Sequence, residues 1–591
     1  MNYKSRLALL LFSSSLWCEA PTKEQSIVEE LAPKKDDTQY TYVKDASSDQ
    51  TPAESAMLFH IPGLTITDRG GAMGQAQINY HGLSNSRFST NLDGMLLNNP
   101  VTGTLDANSM FLFAAKHLQT TAQTLSVALP SPSSLGAKGI LGYGSQNSLK
   151  VGGAVGAPIG KSSFFMATQL TSSEGNFFFI APEDKTRTDI LRENNDQHRV
   201  QTVIKFEKKH GTFNNHALLA LSFHESGIAG YAFSPTKNLR SYNTYAGLSL
   251  GASTVVNDVL LKLDTINSLF NYCTTDLEKQ EQFLASTHEF SLSMKSLKLP
   301  KSMEFDMAPK IVVERAYELN KTRIGGGFVM ERSMSWQGRL KPQSKALFSM
   351  LGFSNHGLIF KKELSVTISP LDFMSITGSF MRHQRLPTFM ELYANNSFFA
   401  GNDELVKESA LDLDLGTNMR FGSHTQIGIN GFLGFLSDTI VYVPFKLNQT
   451  RPVNITSARR YGVDAALVFQ PTDWFLLESK NSFLKTKIDK TNAALPNAPM
   501  FSGLSKTRFG YEWLSLILQA RYRSSATADI YGSIRTKPYI LCDSILASKL
   551  YDRLGLSFSV SNIFNVKTAR DTYEIPLSGT VFFAQVEVGN I

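Results

Sequence analysis

The segment Gly247-Leu248-Ser249-Leu250-Gly251 has the spacing of a nucleophile elbow, where a serine on a tight strand-to-helix turn presents its hydroxyl for attack. Apolar and polar residues alternate through this stretch with a period of two, the pattern of a strand running straight on, so the required turn is missing. His81 and His383 could ligate haem iron from two sides of a cavity. Two polar residues at a wet surface is the plainer account of the pair. Cys273 and Cys542 are the cysteines left beyond the leader, too few for a disulfide scaffold and without metal-type spacing. The residues therefore predict no catalytic centre, no cofactor and no metal site, and the chain is read as a non-enzyme.

The elements around these residues are then the informative part. Lys4 and Arg6 precede the apolar run Leu7 to Phe12, and Cys18-Glu19-Ala20 supplies a cleavage pattern, so residues 1–20 read as a secretory signal peptide. A lipid-modified Cys18 is the competing reading, disfavoured by the bulky Leu16-Trp17 before it. Residues 21–51 are polar and charged with no apolar period, as in a tether. Residues 52–158 mix short apolar runs with glycines and turn signals, consistent with a compact α+β domain. No later segment approaches the roughly 18 uninterrupted apolar residues of a spanning helix. The net charge of +7 is scattered over the chain, which argues against a nucleic-acid partner.

From residue 159 to 591 one theme repeats: segments of alternating hydrophobicity separated by polar, Gly-rich or Asn-rich connections. Leu219, Leu221 and Phe223 alternate with Ala220, Ser222 and His224; Leu554, Leu556, Phe558 and Val560 alternate with glycine and serines. Leu364, Val366 and Ile368 repeat the pattern against Ser365, Thr367 and Ser369. Alternation alone fits a soluble sandwich as well as a membrane barrel. Extent favours the barrel, because this region holds about 20 strands at about 20 residues per strand with its connection. Connections short at Ala157-Pro158-Ile159-Gly160 and long over 172–198 match the asymmetry of outer-membrane barrels. Phe177-Phe178-Phe179, in that first long connection, is read as part of an aromatic girdle rather than a ligand patch.

Met381 to Tyr393, containing Arg385, Pro387, Glu391 and Tyr393, is followed by Gly401, Asn402 and Glu408. This order resembles a hallmark of TonB-dependent receptors: an Arg-Ala-Pro-like turn, Glu-Leu-Tyr, then Gly-Asn-Pro-x-Leu-x-Pro-Glu. Upstream, Pro62-Gly63, His81-Gly82 and Asp93-Gly94 resemble that family's plug elements Pro-Gly-Val, Arg-Gly and Leu-Asp-Gly. Arg460-Tyr461-Gly462-Val463-Asp464 is similar to a mid-barrel Gly-Val-Glu, and Ser561 to Asn565 to the Asn-Leu-Phe-Asp before the closing hairpin. Departures are His81 where the family usually has Arg, Leu125-Ser126-Val127 for Ile-Glu-Val, and a C-terminus ending Gly589-Asn590-Ile591 rather than in an aromatic residue.

The resemblance implies a membrane all-β fold: an antiparallel transmembrane barrel of about 22 strands in the bacterial outer membrane, with an N-terminal α+β plug in its lumen. It implies a monomeric importer of a scarce small molecule or metal chelate such as a ferric siderophore or corrinoid, embedded in outer-membrane lipid and coupled to the TonB protein. Ser26, Ile27, Val28, Glu29 and Glu30 are the candidate TonB box, an extended patch able to add a strand to a sheet edge. A barrel for adhesion or surface display is the main alternative, with a periplasmic β-rich binding protein or a haem receptor less favoured. Ala394 to Ala400 holds none of the histidines that haem receptors of this family tend to carry there.

Overall fold

The computed structural model describes residues 41–43 and 51–590, apart from 69, 121–123, 182–185, 233, 258, 276–279, 297–302, 355, 396–398, 447–448, 512, 551–552 and 573–574. The signal peptide and the candidate TonB box Ser26 to Glu30 lie outside the described residues. From Gly136 onward the chain forms a closed antiparallel barrel of 22 strands. Each strand pairs with its neighbour in sequence, and the barrel closes where the first strand, Gly136–Gly144, pairs with the last, Val581–Asn590.

Barrel alternation is that of the sequence. Along Phe213–Gly227, Leu221 and Phe223 are exposed on the outer face, whereas Leu218, Ala220, Ser222 and His224 are buried inward. Leu364, Val366, Leu556 and Phe558 likewise face outward. Connections at one end are tight, the longest being 336–342; at the other end lie 174–196, 228–239, 386–407, 489–500, 524–538 and 562–580. By the asymmetry of outer-membrane barrels the long-loop end is the outer one. Exposed Trp336, Trp474 and Trp513 stand at tight turns of the opposite end, as an aromatic belt requires.

The boundary between the two domains differs from the expected 158. Strands Gly136–Gly144 and Ser148–Ile159 both belong to the barrel. Glycines at 136, 139, 142 and 144 erase the hydrophobic alternation that would have marked the first strand. A Cβ at Gly142 would sit 2.5 Å from the ring of Phe583, so the closing seam excludes side chains there.

The N-terminal domain fills the lumen. It contains a mixed sheet built from Thr41–Val43, His117–Thr120, Thr124–Ala128, Ser89–Leu92 and Met95–Leu96, and a second sheet of Leu64–Asp68, Ala76–Tyr80 and Leu83–Ser84. Its helices among the described residues are 3-10 turns such as Glu54–His60. Plug residues Leu58, Ile78, Phe88, Leu92 and Phe111 share one apolar cluster with inward-facing Phe165, Val203, Leu218, Phe270 and Phe283 of the barrel. Thr41–Val43, expected to be tether, is instead an edge strand on His117–Thr120, which its Thr-Tyr-Val composition suits.

Candidate functional site

The plug motifs are turns that fit into one another. Ile61-Pro62-Gly63-Leu64 reverses the chain, with the Leu64 N–H donating to Ile61 O at 3.3 Å and Gly63 at φ 74°, the position that a type II turn reserves for glycine. The His81 N–H donates to Gly63 O at 3.0 Å, and a Cβ on Gly63 would lie 2.3 Å from His81 Nε2. Gly63 is thus the space that His81 occupies. That ring stacks on Phe432 of the barrel at 3.6 Å between centroids and contacts the Asp464 carboxylate at 2.7 Å, both side chains almost wholly buried. Gly82, at φ 78°, lets the chain turn away against Leu484 and Ala498.

His81 and Asp464 replace the Arg and Glu of the family pattern, and the structure places these departures at the two ends of one contact. Arg460 joins them, reaching His81 O at 3.5 Å and Asp412 at 2.7 Å, and His383 stands 4.0 Å from the same Asp412. The two histidines considered as haem ligands therefore each face a carboxylate of this cluster.

Arg385, Glu391 and Glu408 form a second contact one step along the inner wall. Arg385 ends its strand, donates to both oxygens of Glu391 at 3.0 and 3.1 Å, and also donates to Glu408. Glu408 accepts from plug Arg87 at 2.7 Å and from the Ile440 N–H. A carboxylate between two guanidiniums from different domains is a clamp, because charge-assisted and bidentate hydrogen bonds fix direction as well as energy. Glu391 closes a capping box with Thr388 on the short helix Phe389–Tyr393, and the Met390 N–H donates to Val101 O of the plug at 2.9 Å.

The remaining motif residues shape the loop that carries this clamp. Arg323 donates to Pro387 O at 2.9 Å, and the Lys321 ammonium lies 4.6 Å from the centre of the Tyr393 ring. A Cβ at Gly401 would come within 2.7 Å of Leu392 O. The Asn402 side chain donates to Pro452 O at 3.0 Å and accepts from Arg451 at 3.2 Å. Asp93 and Gly94 stand apart from both contacts: with φ of 45° and 93° they make a tight hairpin turn, and Asp93 reaches Lys205 of the wall at 2.9 Å. Ser249 lies within the straight strand Arg240–Val256, buried on its inner face.

At the outer end the loops fold over the plug. Phe177 and Phe179 sit in a small hairpin, Phe177–Ile180 paired with Asp189–Arg192, rather than in the barrel wall. Both rings are buried, and a Cβ at plug Gly70 would lie 3.2 Å from Phe177, so these two aromatics seal the plug apex instead of forming a girdle. Beside them Arg192 and Arg570, 6% and 3% exposed, make no ion pair among the described residues. Arg570 lies over the Phe179 ring at 5.4 Å and donates to Ile180 O, while Arg192 donates to Gly230 O at 3.1 Å. The Nε of each has no hydrogen-bond partner among the described residues. Burial lowers both guanidinium pKa values to about 10, and for Arg570 the charge of Arg192 adds to the effect.

Sequence reasoning did not find Arg87, Arg192 or Arg570. Arg87 ends a single 3-10 turn, and Arg192 and Arg570 stand in strands of four and three residues within long connections, too short to show a periodicity. Asp464 was visible as a motif position, but its bond to His81 spans most of the chain and leaves no local signal.

A plug held by buried polar contacts inside a closed 22-stranded barrel defines the class of plugged outer-membrane barrels. Residues 352–563 match the family model described as TonB dependent receptor-like, beta-barrel. The siderophore receptor PirA of Acinetobacter baumannii is similar over 96% of this chain and 100% of its own, with a TM-score of 0.78 at 12% identity. The copper transporter OprC covers 94% of this chain and 98% of its own (TM-score 0.75, 12% identity), and the FrpB iron transporter of Neisseria meningitidis 95% and 100% (0.75, 12%). No curated protein matches the chain in sequence. Residues 352–563 thus resemble the TonB-dependent receptor barrel, and the chain as a whole shares the fold of these plugged barrels.

Proposed function

We propose that the protein imports an anionic metal chelate, received at the outer loops and driven inward by TonB acting on Ser26 to Glu30. The observation that carries this reading is the pair Arg192 and Arg570. Two like charges taken out of water without a carboxylate partner among the described residues are costly, and an incoming anion supplies a partner. Their place beside Phe177 and Phe179, over the plug apex, puts a bound anion where displacing the loops would unseat the plug. Proteins of the same fold named as siderophore, iron and copper transporters support the ligand class.

Purified receptor titrated with a ferric catecholate, ferric citrate and cobalamin tests the reading. A ferric anionic chelate is expected to bind, and the double variant Arg192→Gln/Arg570→Gln to weaken it by about 30-fold or more, ~2 kcal/mol. Exclusive binding of cobalamin, or undiminished chelate binding by the double variant, would overturn the assignment. Ile27→Pro removes a backbone donor and blocks strand addition, so it is expected to bind chelate normally and to transport none.

A further inference from the structure

On the outer face of the barrel, the strands from Gly357–Leu371 to Phe475–Ile488 carry a shallow apolar groove of about 780 Å³. Its floor follows one hydrogen-bonded row: Val366, Gly378, Leu415, Gly431 and Val463. The two glycines make it a groove, since a Cβ at Gly378 would meet nothing within 4 Å and one at Gly431 only a carbonyl oxygen at 3.9 Å. Four residues further toward the long-loop end, about 13 Å along a strand, the corresponding outward row reads Lys362, Arg382, Leu411, Phe435, Arg459 and Lys487.

This row sets Lys362 directly opposite Arg382, and Arg459 directly opposite Lys487. Like charges in cross-strand pairs are destabilising. Arg382 makes no ion pair among the described residues; the one carboxylate Asp489 pairs with Arg459 at 2.8 Å and is shared electrostatically with Lys487, leaving that pair with a net positive charge; Lys362 lies 5.6 Å from the Phe348 ring, and Asp438 lies three residues beyond Phe435. Lys485, exposed and in register with Tyr461 of the groove, adds a fifth cation. The two basic pairs are three strand steps apart, about 14 Å.

The row also lies at a defined depth. Phe435 is ten residues from the start of Thr425–Lys446, near the turn that bears Phe421. Ten residues span roughly 33 Å, or about 25 Å along the membrane normal at the usual strand tilt, the height of the apolar band. The basic row thus stands at the outer headgroup level and the groove beneath it at acyl-chain level.

We propose that this face binds one multiply acylated lipid of the outer leaflet carrying two phosphates, one on each basic pair, with acyl chain laid over Gly378 and Gly431. The probe is diphosphoryl lipid A added to the full-length receptor in neutral detergent, with bound lipid read by native mass spectrometry. Wild type is expected to retain one lipid; Arg382→Gln/Lys487→Gln to bind roughly tenfold more weakly or worse; and Gly378→Leu/Gly431→Leu to lose affinity while keeping its cations. Heat-modifiable migration checks that each variant is folded, and monophosphoryl lipid A is expected to fall between wild type and the charge variant. Unchanged retention in both double variants overturns the site. Equal protection by inorganic phosphate alone makes it a phosphate site and overturns the lipid assignment.

Discussion

At the scale of single residues, the motifs do mechanical rather than ligand-reading work. Gly63 makes room for His81, His81 reaches Asp464, and Glu408 holds Arg87 to Arg385. Residue types at motif positions were legible because turns and caps use few residue types; their partners were not, because Arg87 and Glu408 are 321 positions apart. One plug group titrates near neutrality. Burial, and then the charge of Asp571, push the Asp68 carboxyl up to about 7 from 3.8. A carboxyl whose pKa is raised in the folded state keeps its proton there while the released state loses it, so the folded state is increasingly disfavoured as pH rises from about 4 to 7. The Asp68 N–H donates to Asp571 in the 562–580 loop at 2.8 Å, and it is this contact that weakens. Relative to the intrinsic, base-catalysed rate, the protection of the loop's amides is expected to fall from pH 5 to 8 in wild type and to stay constant in Asp68→Asn; a fall that survives the substitution removes Asp68 from the account.

At the scale of elements, two-residue alternation was legible wherever one face meets lipid and the other the plug. It failed for Gly136–Gly144, where the seam against Phe583 demands glycine, and for Phe177–Phe179, where an aromatic run serves a loop hairpin. The outward placement of Leu221, mid-strand in Phe213–Gly227, fixes the register of its neighbours. Leu221→Arg is expected to cost about 2–4 kcal/mol of folding free energy in bilayers, whereas Leu221→Phe is expected to be close to neutral. Urea titration of the two reconstituted variants measures the difference, and equal midpoints would mean that this strand faces the other way.

At the scale of the whole molecule, the plug and the wall are one packed body: a shared apolar cluster, the clamp at Glu408 and the His81–Asp464 contact hold them together. Excising residues 53–135 is expected to leave a closed, ion-conducting barrel, while excising 53–158 removes the strand that pairs with Val581–Asn590 and is expected to leave no stable barrel. Planar-bilayer conductance and heat-modifiable migration read the two deletions. High conductance from the longer deletion would contradict closure at Gly136, and an unaltered current in a folded shorter deletion would contradict occlusion by the plug. The strand Thr41–Val43 adds a consequence of its own. Tension entering from the N-terminal side meets this edge strand, held by three register positions on His117–Thr120, before it meets the packed interior. In a chain loaded from that end it behaves as a mechanical fuse: it yields first, passes the load to His117–Thr120 and its neighbours, and sets the order in which the obstruction comes apart.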